Sequence, residues 1–263
     1  MESETTMLRV ILCENTAQWA DEAARIVAAV IKEKTNPVLI LPTGGTPVPM
    51  YDALAARFAT GELSFARTTT FNLDEYVGLE PSHNQSYRAF MERNLFRRVD
   101  IPQENTHVPL GVAGDMDAQC EAYEQALHRA GGADLAVLGI GSNGHIGFNE
   151  PGTSFSSRTH VVQLDERTRR DNARFFSSLE EVPTQAVTMG LATILSARRI
   201  LLLAQGTGKA DILRQALQVA PTEAVPASAL QSHHDVVAVL DAAAASALDP
   251  ALTDWRPSEQ RLA

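Results

Sequence analysis

Residues 38–47 read Val-Leu-Ile-Leu-Pro-Thr-Gly-Gly-Thr-Pro, and a helical pattern follows directly to Ala59. Consecutive aliphatic residues with no polar alternation mark a strand buried on both faces, as in a parallel sheet. Gly44 and Gly45 permit a tight turn with exposed N–H groups, Thr46 suits an N-cap and Pro47 the first helical position. The same unit recurs outward from here. Strand-like runs lie at Leu8–Cys13, Thr68–Leu73, Leu135–Ile140, His160–Leu164, Ile200–Ala204 and Val236–Leu240. Helical segments lie at Thr16–Lys34, Pro47–Ala59, Ser86–Val99, Met116–Ala130, Thr184–Ser196 and Lys209–Val219. In Thr16–Lys34 the residues Trp19, Ala23, Ile26, Val27, Val30 and Ile31 share one face, with Thr16 as N-cap. Strand–helix alternation over the whole length predicts an α/β fold, a doubly wound three-layer α/β/α sandwich around a mainly parallel sheet. No linker or internal repeat divides the chain, so 1–263 is expected to be a single domain, with loosely held tails at 1–6 and about 250–263.

Composition narrows the function. The chain of 263 residues has 22 Lys+Arg against 32 Asp+Glu, a formal charge of −10, which repels polyanions and anionic lipid. Neither nucleic acid nor membrane is an expected partner. Apolar content of 44% with 21% charged residues excludes disorder and coiled coil. The acidic, polar start MESETTMLRV is no signal peptide, and Cys13 and Cys120 cannot make a disulfide framework. A cytoplasmic protein with reduced, partly buried thiols is expected.

In open parallel sheets, ligands bind outside the carboxyl ends of the strands, so the unusual segments after predicted strands matter. Leu41–Pro47 opens a helix from a glycine turn, a natural phosphate cradle. It lacks the Gly-Lys-Ser/Thr of a nucleotide P-loop, and an ordinary βα turn accounts for it equally well on its own. Phe71-Asn-Leu-Asp-Glu-Tyr-Val-Gly78 sets Asp74 beside Glu75; adjacent carboxylates repel, which suits one of them to proton transfer. The alternative is that Asp74 merely caps a helix or turn. Gly139-Ile-Gly-Ser-Asn-Gly-His-Ile-Gly-Phe-Asn-Glu-Pro151 satisfies G-x-G-x-x-G, with Asp165 further on. However, Gly147, Pro151, Gly152 and the Ser/Thr run cannot make the helix that a dinucleotide site requires. What remains is a glycine-flanked loop presenting Asn143, His145 and Glu150. Ala204-Gln-Gly-Thr-Gly-Lys209 opens another helix with a lysine in its first turn. The helix dipole disfavours a cation there unless an anion lies beside it; a solvated lysine is the bland alternative. His145 and Glu150 lack the spacing of a helical metal pair, and His233-His234-Asp235 reads as surface, so no metal is expected.

Taken in order, LPTGGTP, FNLDEYVGL, SYRAFMERNLF, LGIGSNGHIGFNEPGTSFSSRTHVV, RRDNARFF, VPTQAVTMG and PASALQSH resemble the glucosamine-6-phosphate deaminases nearly end to end. The resemblance implies a Rossmann-like sheet and no cofactor. It also implies a reaction in amino-sugar catabolism, from glucosamine 6-phosphate and water to fructose 6-phosphate and ammonia. Asp74 then matches the enolisation base, His145 the ring-opening acid/base and Glu150 its partner carboxylate. Thr43, Gly44, Gly45 and Thr46 match the phosphate loop, and Arg174 and Lys209 the basic phosphate ligands. Asn143 stands where many members carry Asp; it can orient the imidazole by a hydrogen bond but brings no charge to stabilise imidazolium. His160-Val-Val-Gln163 is poor in fixed positive charge where some members bind an acetylated amino-sugar phosphate, so no such activation is expected. The motifs favour the gluco epimer over the galacto. Such families include monomers and hexamers, which leaves a homo-oligomer open. Two rivals are a 6-phosphogluconolactonase, whose Gly-His loop continues differently, and a sugar-phosphate sensor, which would need a DNA-binding module.

Overall fold

The computed structural model describes residues 7–250. Seven strands form one sheet, in the order β1 (Met7–Cys13), β10 (Asp235–Asp241), β9 (Ile200–Ala204), β6 (Leu135–Leu138), β2 (Val38–Leu41), β3 (Thr69–Asn72) and β5 (Thr106–His107). Every adjacent pair is parallel. Because side chains alternate across a strand, the aliphatic run of β2 feeds two cores. Val38 and Ile40 pack with Phe71, Leu138 and Leu213 on one side, and Leu39 and Leu41 with Trp19, Met50 and Leu54 on the other. Helices α1 (Thr16–Glu33), α2 (Val48–Ala59) and α3 (Tyr87–Asn94) cover the second face. Helices α4 (Met116–Arg129), α6 (Leu191–Leu195) and α7 (Ala210–Gln218) cover the first. This is the expected three-layer α/β/α sandwich with a Rossmann-like parallel sheet.

From β2 the chain runs outward through β3 to β5, then returns to β6 on the other side of β2. The strand order therefore reverses between β2 and β6, and that switch point opens a crevice beyond their carboxyl ends.

A second, antiparallel sheet departs from the expectation: β4 (Asp74–Tyr76), β8 (Gln185–Thr188) and β7 (His160–Gln163), in the order β4-β8-β7. The helix expected over Thr184–Ser196 is thus strand β8 followed by the shorter α6. Pairing on both edges overrides the helical pattern of 185–188, and Gly190, lying against the Ser157 and Arg158 backbone, breaks the segment. Between β7 and β8 lies a further short helix, α5 (Glu166–Asn172). The helix expected over Ser86–Val99 stops at Asn94, where Leu95 leaves helical geometry at φ −141°.

The caps also shift. Asn15, not Thr16, caps α1, because its extended backbone lets Oδ1 accept the Gln18 N–H at 2.9 Å. Thr46 makes no cap bond to α2, whose cap position is Pro47. His233, expected at the surface, is buried, with Nε2 2.7 Å from the Ala197 carbonyl; His234 is exposed and stacks on it. Cys13 and Cys120 are buried free thiols, and burial pushes Cys13 up to about 11, which makes it unreactive. Apart from Pro250, the tails expected at 1–6 and about 250–263 lie outside the described residues. Among those described, no helix is long and apolar enough to cross a membrane.

Candidate active site

The crevice at the β2/β6 switch point holds a cavity of about 310 Å³, at the lower end of the range for small-molecule sites. Thr43, Gly44, Gly45 and Thr46 line one end, after β2. Gly44 turns with φ +94°, and Tyr51 of α2 anchors the turn by donating to the Pro42 carbonyl at 2.6 Å. The amides of residues 43–46 donate to no described residue, so the turn presents open N–H groups to the cavity. Lys209 and Arg174 line the same cavity. Lys209 ends the single 3-10 turn Thr207–Lys209 after β9, and its Nζ donates to the Ile140 carbonyl at 2.7 Å. Arg174 follows α5 in the turn Ala173–Phe175. Three chain segments remote in sequence thus bring two cations and a row of amide donors together, in a protein of net charge −10.

The loop after β6 forms the opposite wall. It closes on itself through Gly141 N–H to His145 O at 2.9 Å and Gly144 N–H to Gly141 O at 3.1 Å. The imidazole of His145 lies flat on Gly141, where any Cβ would collide with the ring. Its Nδ1 is 3.5 Å from Glu150 Oε2, an electrostatic contact rather than a hydrogen bond. Asn143 acts differently from the expectation: Oδ1 accepts the His145 backbone N–H at 3.2 Å, while Nδ2 donates to Glu150 Oε2 at 2.6 Å. It orients the imidazole through the carboxylate and the loop backbone, not by a bond to the ring. Burial alone would raise the Glu150 carboxyl, but His145, Thr168 and Asn143 more than offset it and hold the group below the usual range.

Between these walls sits Asp74, at the start of β4. Leu73 is pinned on both sides, its N–H on the Leu41 carbonyl at 3.2 Å and its carbonyl on the Met189 N–H at 2.7 Å. Gly147 lets the His145 loop approach, since a Cβ there would lie 2.9 Å from Thr188 Oγ1 and 3.4 Å from Asp74 Oδ2. Asp74 is 5% exposed and its carboxylate accepts no hydrogen bond among the described residues. Burial, reinforced by the charge of Glu75, pushes it up to about 8. The adjacent carboxylates have different fates because a strand points them to opposite faces. Glu75 turns away from the cavity and accepts the N–H groups of Tyr76, Tyr87 and Arg88 at 2.9, 2.9 and 3.0 Å, capping α3. Burial raises Glu75 to about 7 despite those three donors.

Of the site residues singled out in the sequence, Thr43, Gly44, Gly45, Thr46, Asp74, His145, Arg174 and Lys209 line this cavity, while Asn143 and Glu150 stand behind His145. Several others were missed: Tyr87, Phe148 and Asn172 line it, and Thr168 of α5 donates to Glu150 Oε1 at 2.6 Å. Nothing in their spacing distinguishes them, although Tyr87, Phe148 and Asn172 lie within the stretches SYRAFMERNLF, LGIGSNGHIGFNEPGTSFSSRTHVV and RRDNARFF, and Thr168 directly precedes the last. Among the described residues no group of three or more His, Cys, Asp or Glu side chains is arranged to hold a metal.

Residues 14–239 match the family model described as glucosamine-6-phosphate isomerases/6-phosphogluconolactonase. A glucosamine-6-phosphate deaminase of Thermoanaerobacter sp. (strain X514) is 48% identical over 239 residues, 91% of this chain and 94% of that protein. One of Shewanella loihica is 50% identical over 241 residues, 92% of this chain and 90% of that protein. A solved structure of a monomeric glucosamine-6-phosphate deaminase superposes with TM-score 0.89 at 48% identity, covering 91% of this chain and 99% of that one. The 6-phosphogluconolactonase of Thermotoga maritima shares the fold, with TM-score 0.72 at 22% identity over 89% of this chain and 100% of that one. The chain belongs to the family of glucosamine-6-phosphate isomerases and 6-phosphogluconolactonases.

Proposed function

We propose that this protein converts glucosamine 6-phosphate and water to fructose 6-phosphate and ammonia, acting as a single α/β domain. The observation that carries the reading is the pairing, in one small cavity, of a buried Asp74 to which no described residue donates with a His145 backed by Glu150, beside an anion-binding end.

The phosphate docks on the amides of Gly44–Thr46 with Lys209 and Arg174, which leaves the sugar only a few orientations and aims C1 and C2 at the acid–base groups. His145, backed by Glu150 and indirectly by Asn143, moves the proton from the anomeric hydroxyl to the ring oxygen as the pyranose opens. Asp74 then takes the proton from C2 while the neighbouring ammonium acidifies that carbon. One ammonium proton passes to the C1 aldehyde oxygen, giving an enolamine, and return of the C2 proton to C1 gives the protonated ketimine; water adds at C2 and ammonia leaves. The proton shift is internal and water is the other reactant, so no external oxidant or reductant enters.

A carboxyl held near 8 is mostly protonated at neutral pH in the empty site. The substrate ammonium, an opposite charge beside it, pulls the pKa down, so Asp74 ionises as the substrate arrives. A base whose pKa lies near the working pH is also the efficient choice for proton transfer.

The test is an assay of ammonia and fructose 6-phosphate formation from glucosamine 6-phosphate, with the galacto epimer alongside and 6-phosphogluconolactone as the rival substrate. Ammonia release with preference for the gluco epimer is expected. Lactone hydrolysis without ammonia release would overturn the reading.

A further inference from the structure

We propose that Thr168 is a positioning residue for ring opening: from helix α5 it holds Glu150 so that one carboxylate oxygen faces His145. The inference rests on the reading of Glu150 as the partner of His145 and deepens it.

The two oxygens of Glu150 are used separately. Oε2 receives Asn143 Nδ2 at 2.6 Å and faces His145 Nδ1 at 3.5 Å. Oε1 receives Thr168 Oγ1 at 2.6 Å, inside the range of a charge-assisted O–H···O⁻ bond, and no other described residue donates to it. Two donors on opposite oxygens fix the plane of the carboxylate. With Asn143 alone, the group could swing about its Cγ–Cδ bond and turn Oε2 from the imidazole. The threonine is itself confined: it is buried in the cavity wall, and its branched Cβ restricts χ1. The neighbouring Arg169 ties α5 down by donating from Nη2 to the carbonyls of Leu179 and Val182, both at 3.0 Å.

The placement of Thr168 has a second consequence. Arg174, at the phosphate end, lies in the turn that follows α5 directly. One short segment therefore carries both a phosphate ligand and the donor that sets the ring-opening carboxylate. The segment that grips the phosphate thus also aligns the acid–base pair. A hydroxyl is needed for this, and an isosteric valine would set a methyl group against the carboxylate instead.

Three groups face Glu150: His145 from the glycine loop as the titratable one, and Asn143 and Thr168 as neutral donors. The test compares Thr168→Val and Thr168→Ser with the wild-type chain. Loss of one hydrogen bond to a carboxylate raises its pKa by about one to two pH units. Thr168→Val is expected to lower kcat about tenfold or more while changing KM less than threefold, and to move the Glu150 titration upward by about one pH unit. Thr168→Ser keeps the hydroxyl and is expected to stay within about threefold of the wild type. In parallel, the Glu150 carboxyl is titrated by carbon-13 NMR in the substrate-free protein, its signal assigned with Glu150→Gln. An unmoved Glu150 titration in Thr168→Val, or serine failing to restore what valine loses, overturns the role of Thr168 whatever the reaction proves to be. If the titration moves but the wild-type chain releases no ammonia, the deaminase reading fails and the hold of Thr168 on Glu150 stands.

Discussion

Asp74→Asn separates what the fold needs from what the chemistry needs. In the unfolded chain the carboxyl titrates near 3.8, whereas burial and the Glu75 charge raise it to about 8 in the folded protein. The folded state therefore keeps a proton that the unfolded state releases, and stability falls as pH rises between those values. From pH 5 to pH 8, linkage with these two values removes on the order of 3–4 kcal/mol from the wild-type protein. Asparagine has no proton to release and nearly the same volume, so the variant escapes this loss. Glu75 is present in both proteins, and its own titration largely cancels in the comparison. Urea unfolding of both proteins at pH 5, 6, 7 and 8 is the assay. Asp74→Asn is expected to gain relative to the wild type with each step, by at least about 2 kcal/mol across the range after discounting for water reaching the cavity. Its turnover is expected to fall by about 10²- to 10⁴-fold or more, the contribution of a positioned base. Stability curves that run parallel over the whole range would refute the claim that an unpaired carboxylate is held against its own ionisation.

Other perturbations probe the remaining walls of the cavity. Lys209→Ala is expected to raise KM with little effect on kcat, because a phosphate far from the reacting carbons is bound alike in ground and transition states; an unchanged KM removes Lys209 from the site. Gly141→Ala drives a methyl into the face of the His145 ring, and turnover is expected to fall at least about tenfold while circular dichroism stays close to wild type. Glu75→Gln can keep an oxygen towards the Tyr76 and Tyr87 N–H groups but then sets its NH2 against the Arg88 N–H, and a loss of about 1–3 kcal/mol in urea unfolding is expected. β7 offers no lysine or arginine between His160 and Gln163, so initial-rate curves are expected to keep the same shape with and without an acetylated amino-sugar phosphate.

Legibility in the sequence differs sharply between the two sheets. β2, β6, β9 and β10 were visible because strands buried on both faces have continuous aliphatic runs, and no tertiary information is needed to see them. β4 and β8 were not. Asp-Glu-Tyr and Gln-Ala-Val-Thr have no such signature, and they are strands only because they pair with each other and with β7. The same divide runs through the site. Glycine turns after strands stand out in one dimension, whereas Thr168 is an ordinary threonine in a polar helix.

By itself the sequence determined the parallel sandwich, the end of the sheet where the cavity lies and the residues worth testing there. Burial pattern and glycine placement are local consequences of the covalent chain. The tertiary structure alone decided what each group does. It sent Glu75 to cap α3 and left Asp74 without a donor among the described residues, although the two are neighbours in the chain. It also moved Asn143 from the imidazole to the carboxylate behind it. A side chain's protonation and aim depend on desolvation and on donors a few ångströms away, and those donors arrive from α3, the β6 loop and α5 only once the chain has folded.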